Sequence, residues 1–218
     1  MTRILFEKTG NAVWISHLDL MRLFQRAFKR AGLPLKHTQG FSPKPSVSIA
    51  LPLSVGVQSH CELLDFELDT NEIVSNRQIV CRLNEALVDG VRVLDCYDDG
   101  GKLKNLAFLQ CVLTLEYDSG VGAAADEIRQ LLSRESLIVQ KKTKNGVQDQ
   151  DIIPMIRSFV LQSDSNTVTV DAVVCCQNPT LNPMQIVEAV RNYLPDYAPD
   201  FAVCCRMELF DTAMKKFK

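Results

Sequence analysis

The residues best suited to chemistry lie in one segment between Ile15 and Pro45, with the sequence ISHLDLMRLFQRAFKRAGLPLKHTQGFSPKP. Positive side chains recur in it at helical spacing and would form a stripe along one side of a helix: Arg22, Arg26, Lys29 and Arg30. Such a stripe would attract an anion such as a phosphate group. The alternative is a set of solvated surface charges with no ligand.

A histidine at the start of this helix is the candidate for proton transfer. His17 occupies the first helical position, where the helix dipole and free N–H groups favour an anion over a positively charged side chain. A neutral His17 beside Arg22 and Arg26 could act as a general base on a ribose hydroxyl. Alternatively, His17 is a half-buried residue bonded to the loop, and Asp19 is only a capping partner.

The segment after the helix contains several prolines and should form a stiff loop. Its candidate binding residues are His37, Gln39, Phe41, Ser42 and Lys44. Phe41 could stack on a nucleobase while Lys44 contacts a phosphate, as in proteins that bind single-stranded nucleic acid. The alternative, which we favour, is that Phe41 anchors the loop in the core and Gly40 supplies a turn.

Both ends of the helix are marked in the sequence. Ser16 followed by Asp19 predicts a capping box at the start, and Gly32 followed by Leu33 and Pro34 is typical of a helix end. Apolar residues at helical spacing predict the buried face, which consists of Leu20, Phe24, Ala27, Phe28 and Ala31.

The remaining patterns predict an α+β fold of two tandem ferredoxin-like (βαββαβ) sandwiches. We expect a first domain at 1–99, a linker at 100–105 and a second domain at 106–218 that has an extra hairpin. Predicted strands in the first domain lie at 3–8, 12–15, 46–53, 60–69 and 91–98, and its second helix at 71–87. In the second domain, strands are predicted at 107–117, 137–144, 147–152, 155–164, 167–176 and 200–210, with helices at 123–133 and 183–194.

The extra hairpin turns at Asn145-Gly146, a pair typical of a type I′ turn. Its lysines, Lys141, Lys142 and Lys144, would either extend a basic surface or protect a strand edge from aggregation. We favour edge protection.

Composition indicates an ordinary globular protein of 218 residues, 46% hydrophobic and 23% charged. No apolar run is long enough to span a membrane, and MTRILFEKTG does not resemble a signal peptide, so we expect a cytoplasmic protein. The net charge of −2 is unevenly placed: residues 1–46 have eight basic and two acidic groups, a local +6, which leaves −8 for the rest. This asymmetry favours an anionic partner that binds locally.

Eight cysteines are present without any C-x-x-C pair, and free buried thiols are expected. A metal or cluster site built from Cys175, Cys176, Cys204 and Cys205 is the alternative. The sequence contains no phosphate-binding loop and no dinucleotide-binding fingerprint. It also lacks the residue spacing of a zinc site and the motif of a catalytic serine or cysteine nucleophile.

Five motifs resemble a bacterial family of unknown function, the radical-SAM-associated domain: SHLDLMR (16–22), RAGLP (30–34), QGF (39–41), ALPLSVGVQS (50–59) and CELLDFEL (61–68). The resemblance implies a radical-SAM enzyme as partner, fused to the domain or separate from it. The chain has HTQGFSPKP where the family has a pattern such as YSQGFNPHP, so Lys44 replaces the second loop histidine. The C-x-x-x-C-x-x-C motif of radical-SAM enzymes is absent, so the chain is not expected to be that enzyme itself.

Three functions remain open. The first is a non-catalytic accessory module that binds an anionic substrate, RNA foremost, for a radical-SAM enzyme. The second is an RNA-processing or RNA-modifying enzyme with His17 as general base, and the third is a protein-interaction scaffold. We expect neither a metal nor a cofactor, and the predicted binding residues are Arg22, Arg26, Arg30, His37, Gln39, Phe41, Ser42 and Lys44.

Overall fold

The structure is a computed structural model that describes residues 1–143 and 146–218, and of residues 142 and 143 only the backbone. Helices and antiparallel strands make up this part of the chain. This confirms the predicted α+β class. The chain divides into two units, Met1–Asn105 with Phe217–Lys218, and Leu106–Lys216. The second domain predicted at 106–218 includes the last two residues, which the structure groups with the first unit.

The first unit contains a four-stranded antiparallel sheet in the order β4-β1-β3-β2. Its elements are β1 (Thr2–Lys8), α1 (His17–Arg30), β2 (Val47–Ile49), β3 (Gln58–Phe66), α2 (Asn76–Ala86) and β4 (Val91–Tyr97). Phe24 and Phe28 of α1, together with Leu83 of α2, pack in one core with Ile4 and Phe6 of β1. Both helices therefore cover the same face of the sheet.

Two predicted elements of the first unit differ in the structure. The strand predicted at 12–15 is wrong, because Gly10–Trp14 forms a 3₁₀ helix in which the Ile15 N–H donates to the Ala12 carbonyl. The strand predicted at 46–53 pairs only over Val47–Ile49, since Leu51 has a φ of 47° and leaves the extended conformation.

The second helix of this unit begins later than the start predicted at residue 71. Ser75 and Gln78 form a complete capping box, in which the Ser75 hydroxyl accepts from the Gln78 N–H and the Gln78 side chain accepts from the Ser75 N–H. The capping box fixes the first turn of α2 at Asn76, because it pairs N–H groups that have no hydrogen-bond partner within the helix.

The second unit contains an antiparallel sheet in the order β10-β5-β9-β8 and a separate two-stranded hairpin, β6-β7. Its elements are β5 (Leu106–Glu116), α3 (Ala124–Leu132), β6 (Ile138–Thr143), β7 (Gly146–Asp151), β8 (Ile156–Ser163), β9 (Thr167–Cys175), α4 (Met184–Tyr193) and β10 (Phe201–Asp211).

The hairpin predicted after the first helix of this unit is present as β6 and β7. Lys141 Nζ donates to the Thr180 carbonyl at 3.1 Å. Lys144, Asn145 and the side chain of Lys142 lie outside the described residues, as does the predicted turn geometry at Asn145. None of the described helices is both long and apolar enough to cross a membrane.

Candidate anion-binding surface

The start of α1 lies at Ser16, the predicted N-cap, but the full capping box predicted from Ser16 and Asp19 does not form in the described part of the chain. Ser16 is extended (φ −67°, ψ 160°) and its Oγ accepts a hydrogen bond from the Asp19 N–H at 3.3 Å. The Ser16 hydroxyl in turn donates to Asp19 Oδ2 at 2.8 Å. A side-chain cap of this kind satisfies an N–H group that the helix cannot pair. Asp19 is therefore a capping partner, and it also forms an ion pair described below.

The end of α1 is equally well defined. Gly32 has a φ of +66°, the Leu33 N–H donates to the Phe28 carbonyl at 2.9 Å, and the Gly32 N–H donates to the Lys29 carbonyl at 3.2 Å. These two bonds are the Schellman motif, which closes the last turn and requires a left-handed residue at the position of Gly32. The predicted helix end is confirmed, and it sets the direction in which the following loop leaves.

The core fixes how α1 is rotated. Leu20, Phe24, Ala27 and Phe28 are buried, and the Phe6 and Phe24 rings meet edge to face with centroids 4.7 Å apart. A helix advances about 100° per residue, so the four cations Arg22, Arg26, Lys29 and Arg30 share an arc of roughly 100° on the opposite side. All four are at least partly exposed. We refer to these four residues as the cationic crest.

A groove of about 400 Å³ runs along one flank of the crest. Three arginines line it: Arg22, Arg26 and Arg30. The other lining residues are the carboxylate Asp19 and the apolar residues Ile15, Leu23 and Val88. We call it the arginine groove. The structure thus brings together the three arginines that the sequence proposed as binding residues.

One acidic side chain lies among these cations. Arg22 Nη1 contacts Asp19 Oδ1 at 3.0 Å, with both side chains well exposed. The Ser16 hydroxyl, and then Arg22, hold the pKa of Asp19 below its usual value of 3.8, and the charge of Arg26 acts in the same direction. Asp19 remains ionised at neutral pH and offsets one of the crest's four positive charges.

Arg30 is held at its tip. Its Nη2 donates to the Ala86 carbonyl at 2.5 Å, which fixes the guanidinium against the end of α2. Among the described residues, no carboxylate lies within ion-pair distance of Arg26, Lys29 or Arg30. Three of the four crest cations therefore retain their charge for a ligand.

The local charge of +6 overstates the surface that can bind an anion. Arg3 is 5% exposed and pairs with Asp65 through two hydrogen bonds, of 2.5 and 2.9 Å. Lys8 is buried and donates to the carbonyls of Val13 and Ile15, and Lys36 pairs with Glu67 at 3.1 Å. These three cations have structural partners, so the crest is the concentrated part of the positive charge.

The loop after α1 is braced at its base and open at its tip. The Thr38 N–H donates to the Lys44 carbonyl at 2.8 Å, and the Lys44 N–H donates to Thr38 Oγ1 at 3.1 Å. Between them, Gln39, Phe41 and Ser42 are exposed, and Phe41 has a relative exposure of 112%. The alternative in which Phe41 anchors the loop in the core is therefore wrong.

The exposed loop residues and the arginines do not share one groove. His37 lines a second groove of about 460 Å³ on the other flank of the crest, with Lys29. Gln39, Phe41, Ser42 and Lys44 line neither groove. The predicted set thus separates into an arginine groove, a groove that includes His37, and an exposed loop tip.

His17 lies apart from the arginines. It precedes Arg26 by nine residues, and nine steps of about 100° place the two side chains on opposite sides of the helix. Its Nδ1 is buried, with no hydrogen-bond partner among the described residues. The grouping of His17 with Arg22 and Arg26, on which a general base in the arginine groove would depend, is not present.

No cysteine among the described residues forms a disulfide, and burial raises the pKa of Cys176 to about 12, so this thiol stays protonated. Within residues 1–143 and 146–218, no three His, Cys, Asp or Glu side chains are placed to hold a metal ion.

Sequence reasoning missed the second groove and the contribution of α2. Phe28 was predicted only as part of the buried face and Leu33 only as part of the helix end, yet both also line the second groove. Ala86 contributes a backbone carbonyl and Val88 lines the arginine groove. A main-chain contact leaves no signature in residue type, so nothing in the sequence identified the role of Ala86.

Solved structures show a likeness in fold. A chain in the crystal structure of a Cbf5-Nop10-Gar1 complex aligns with 95% of this chain at a TM-score of 0.51 and 9% identity. This chain spans 48% of that chain's length, and at such low identity the likeness concerns the fold alone. The crystal structure of an unknown protein from Galdieria sulphuraria aligns with 94% of this chain, and the alignment covers 96% of that protein's chain. The identity is 10% and the TM-score is 0.26. No curated protein matches the chain.

A family model matches residues 2–183, which include α1, the arginine groove and the loop after it. The family is described as an uncharacterized protein conserved in bacteria. The chain therefore belongs to this bacterial family, DUF2344.

Proposed function

We propose that this protein is a non-catalytic binding module for an anionic partner, and that the partner is RNA. The observation that supports this most directly is the arginine groove, in which Arg22, Arg26 and Arg30 line one concave surface together with one carboxylate. Guanidinium groups are suited to phosphate because their planar forks donate two parallel hydrogen bonds. Repeated guanidinium groups along a groove fit a ligand with repeated phosphates better than a single small anion.

The exposed aromatic ring of Phe41 supports RNA over other polyanions. An unburied phenylalanine at a loop tip offers a face on which a base can stack, and a phosphate polymer without bases has no use for it. Lys44 flanks the same exposed tip and adds a positive charge. Cationic side chains beside exposed aromatic rings are the combination typical of proteins that bind single strands.

Two further arguments support the fold and the partner enzyme that we propose. The sheet orders β4-β1-β3-β2 and β10-β5-β9-β8 support two tandem ferredoxin-like sandwiches, the second with the β6-β7 hairpin inserted. The resemblance of SHLDLMR, RAGLP and QGF to the radical-SAM-associated domain supports a radical-SAM enzyme as the partner to which the bound RNA is presented. We place this role in the cytoplasm.

The test is a titration of a labelled mixed-sequence oligoribonucleotide with the wild type and with the double variant Arg22→Ala/Arg26→Ala, at roughly 50 and 200 mM salt. We expect the variant to bind more weakly. The plot of log affinity against log salt concentration should also be less steep for the variant. The magnitude of its slope should decrease by about 0.7 for each single-strand phosphate that the two arginines neutralise in the wild type.

The matched control is Arg129→Ala/Arg191→Ala, which removes two exposed arginines from α3 and α4 of the second unit. This control should bind like the wild type. Binding that does not depend on salt, or an equal loss of affinity in both double variants, would contradict the proposal.

A further inference from the structure

The groove on the other flank of the crest has the features of a built binding site. Its floor is formed by Phe28, Leu33 and Leu35, which are themselves part of the core. Gly32 borders it without a side chain, and a Cβ added there would meet nothing within 4 Å. The volume of about 460 Å³ lies within the range of small-molecule sites. We call this the apolar groove.

The shape of the apolar groove is held by hydrogen bonds on both sides. On the helix side, the Schellman bonds fix Gly32 and Leu33. On the loop side, the Ser46 N–H donates to the Lys36 carbonyl at 2.6 Å, and His37 pairs with Pro45 in an isolated bridge. The groove is therefore formed before any ligand arrives, which lowers the entropic cost of binding.

The chemistry of the rim narrows the choice of ligand. Lys29 belongs both to the crest and to the rim of the apolar groove, and Gln25 and His37 are the other polar side chains there. A ligand that fits must place an apolar group against Phe28 and Leu33 and an anionic group within reach of Lys29. An unpaired nucleotide has this character, because its base presents apolar faces with a polar edge and its phosphate is anionic.

The walls favour a flat ring over an alkyl chain. The His37 ring lines the groove and offers a planar aromatic surface to a base, and Pro34 and Pro45 add apolar wall beside it. Gln25 can hydrogen-bond a base edge through its amide, which would have no role beside an alkyl chain.

We propose that the apolar groove receives one unpaired nucleobase of a bound RNA strand, with the adjoining phosphate at Lys29. This inference rests on the proposed function, since it takes the crest as the binding site of the strand's backbone. It adds that the substrate is single-stranded where it meets α1, because a paired base would first have to unpair and unstack to enter the groove.

The first experiment uses the wild-type protein with three probes: an oligoribonucleotide, an abasic ribose-phosphate strand of equal length, and the corresponding duplex. We expect the abasic strand to bind more weakly, by roughly fivefold to 150-fold for each stacked base that it lacks, one in the apolar groove and one on Phe41. The duplex should also bind more weakly than the single strand.

Variants locate the effect. Gln25→Leu removes the amide that would bond the base edge, without changing charge, and should reduce the preference for the strand that has bases. His37→Ala, in an exposed position, removes the aromatic ring from the groove and should reduce the same preference. Lys29→Ala should weaken binding of both strands equally and lower the salt slope by about 0.7.

The outcomes separate the two proposals. Equal affinity for the abasic and normal strands, with weaker binding still seen in Arg22→Ala/Arg26→Ala, would overturn the base-binding groove and leave RNA binding intact. Tighter binding of the duplex would also overturn it. If no strand binds in a salt-dependent manner, the proposed function fails and this inference fails with it.

Discussion

The first helix of each unit follows the first strand of that unit, yet α1 and α3 carry net charges of opposite sign. The 14 residues of α1 include three arginines, one lysine and one aspartate, a net charge of +3. The nine residues of α3 include one aspartate, one glutamate and one arginine, a net charge of −1. Arg129 of α3 is already paired with Asp126 at 2.7 Å.

The segments that follow the two helices also differ. After α1, a Schellman turn leads into a braced loop that exposes Phe41 and borders the apolar groove. After α3, the chain enters the β6-β7 hairpin, which contacts the rest of its unit through Lys141 and Thr180. The first helix thus leads into an exposed loop in one unit and into a hairpin in the other, so likeness in fold alone does not assign a function to either surface.

The largest expected change in stability comes from removing one buried side chain from each of the two helices. Phe24 and Ile128 are both fully buried. Phe24→Ala should lower the free energy of unfolding by about 3–5 kcal/mol, and Ile128→Ala by about 2–5 kcal/mol, because each leaves a cavity. Urea unfolding followed by circular dichroism measures both.

The surface variants Arg26→Ala and Arg129→Ala serve as controls and should change stability by no more than about 0.5 kcal/mol. If Arg26→Ala were as destabilising as Phe24→Ala, the crest would be a structural feature and not a ligand surface.

Much of α1 was predictable because its signals are local. The cap at Ser16, the end at Gly32 and the buried face through Phe24 all depend on residues within a few positions of each other. The α+β class followed from strand and helix periodicity, and the predicted hairpin from the local pair Asn145-Gly146 in the sequence.

The candidate site was less predictable because it depends on contacts between distant segments. Arg3 and Asp65 are far apart in sequence, so the burial of Arg3 could not be inferred from charge counting. Residues 12–14 of the 3₁₀ helix Gly10–Trp14 were mistaken for part of a strand because their apolar side chains are compatible with either structure. The exposure of Phe41 depends on how the loop closes at Thr38 and Lys44, and residue type alone favours a buried position.

A second prediction compares how the two helices begin. Ser16 has an extended backbone and caps α1, whereas Ala123 precedes α3 with φ −88° and ψ 1° and no side-chain cap. Ser16→Ala should cost about 1 kcal/mol of stability. Ala123→Ser should change it by no more than about 0.5 kcal/mol, since a residue in that conformation is not placed to cap. Urea unfolding of both variants makes the comparison.

Ser75→Ala is the matched reference, because Ser75 makes the same kind of cap at α2. It should cost about as much as Ser16→Ala. A gain of about 1 kcal/mol from Ala123→Ser would show that α3 accepts a cap and that the difference between the two helix starts is only one of residue type.

The smallest expected effect concerns two carboxylates, one in each unit, whose pKa values are lowered by different groups. For Asp19 the main cause is the Ser16 hydroxyl, followed by Arg22, whereas for Asp151 it is the backbone N–H of Leu137. Ser16→Ala should therefore raise the pKa of Asp19 toward 3.8, and more than Arg22→Ala does. Ser136→Ala should move the pKa of Asp151 only slightly, because the backbone donor remains. NMR titration of the side-chain carboxyl carbons measures each value.

The sign of the pH dependence follows from the lowered pKa of Asp19. Its contribution to the stability of α1 is present above the unfolded value of 3.8 and is lost as the pH falls through the folded pKa. In Ser16→Ala this loss should begin at a higher pH than in the wild type, because the folded pKa lies closer to 3.8. An unchanged Asp19 titration in Ser16→Ala would mean that Arg22 and Arg26 alone set the pKa, and the crest would then be more strongly neutralised by Asp19 than its geometry indicates.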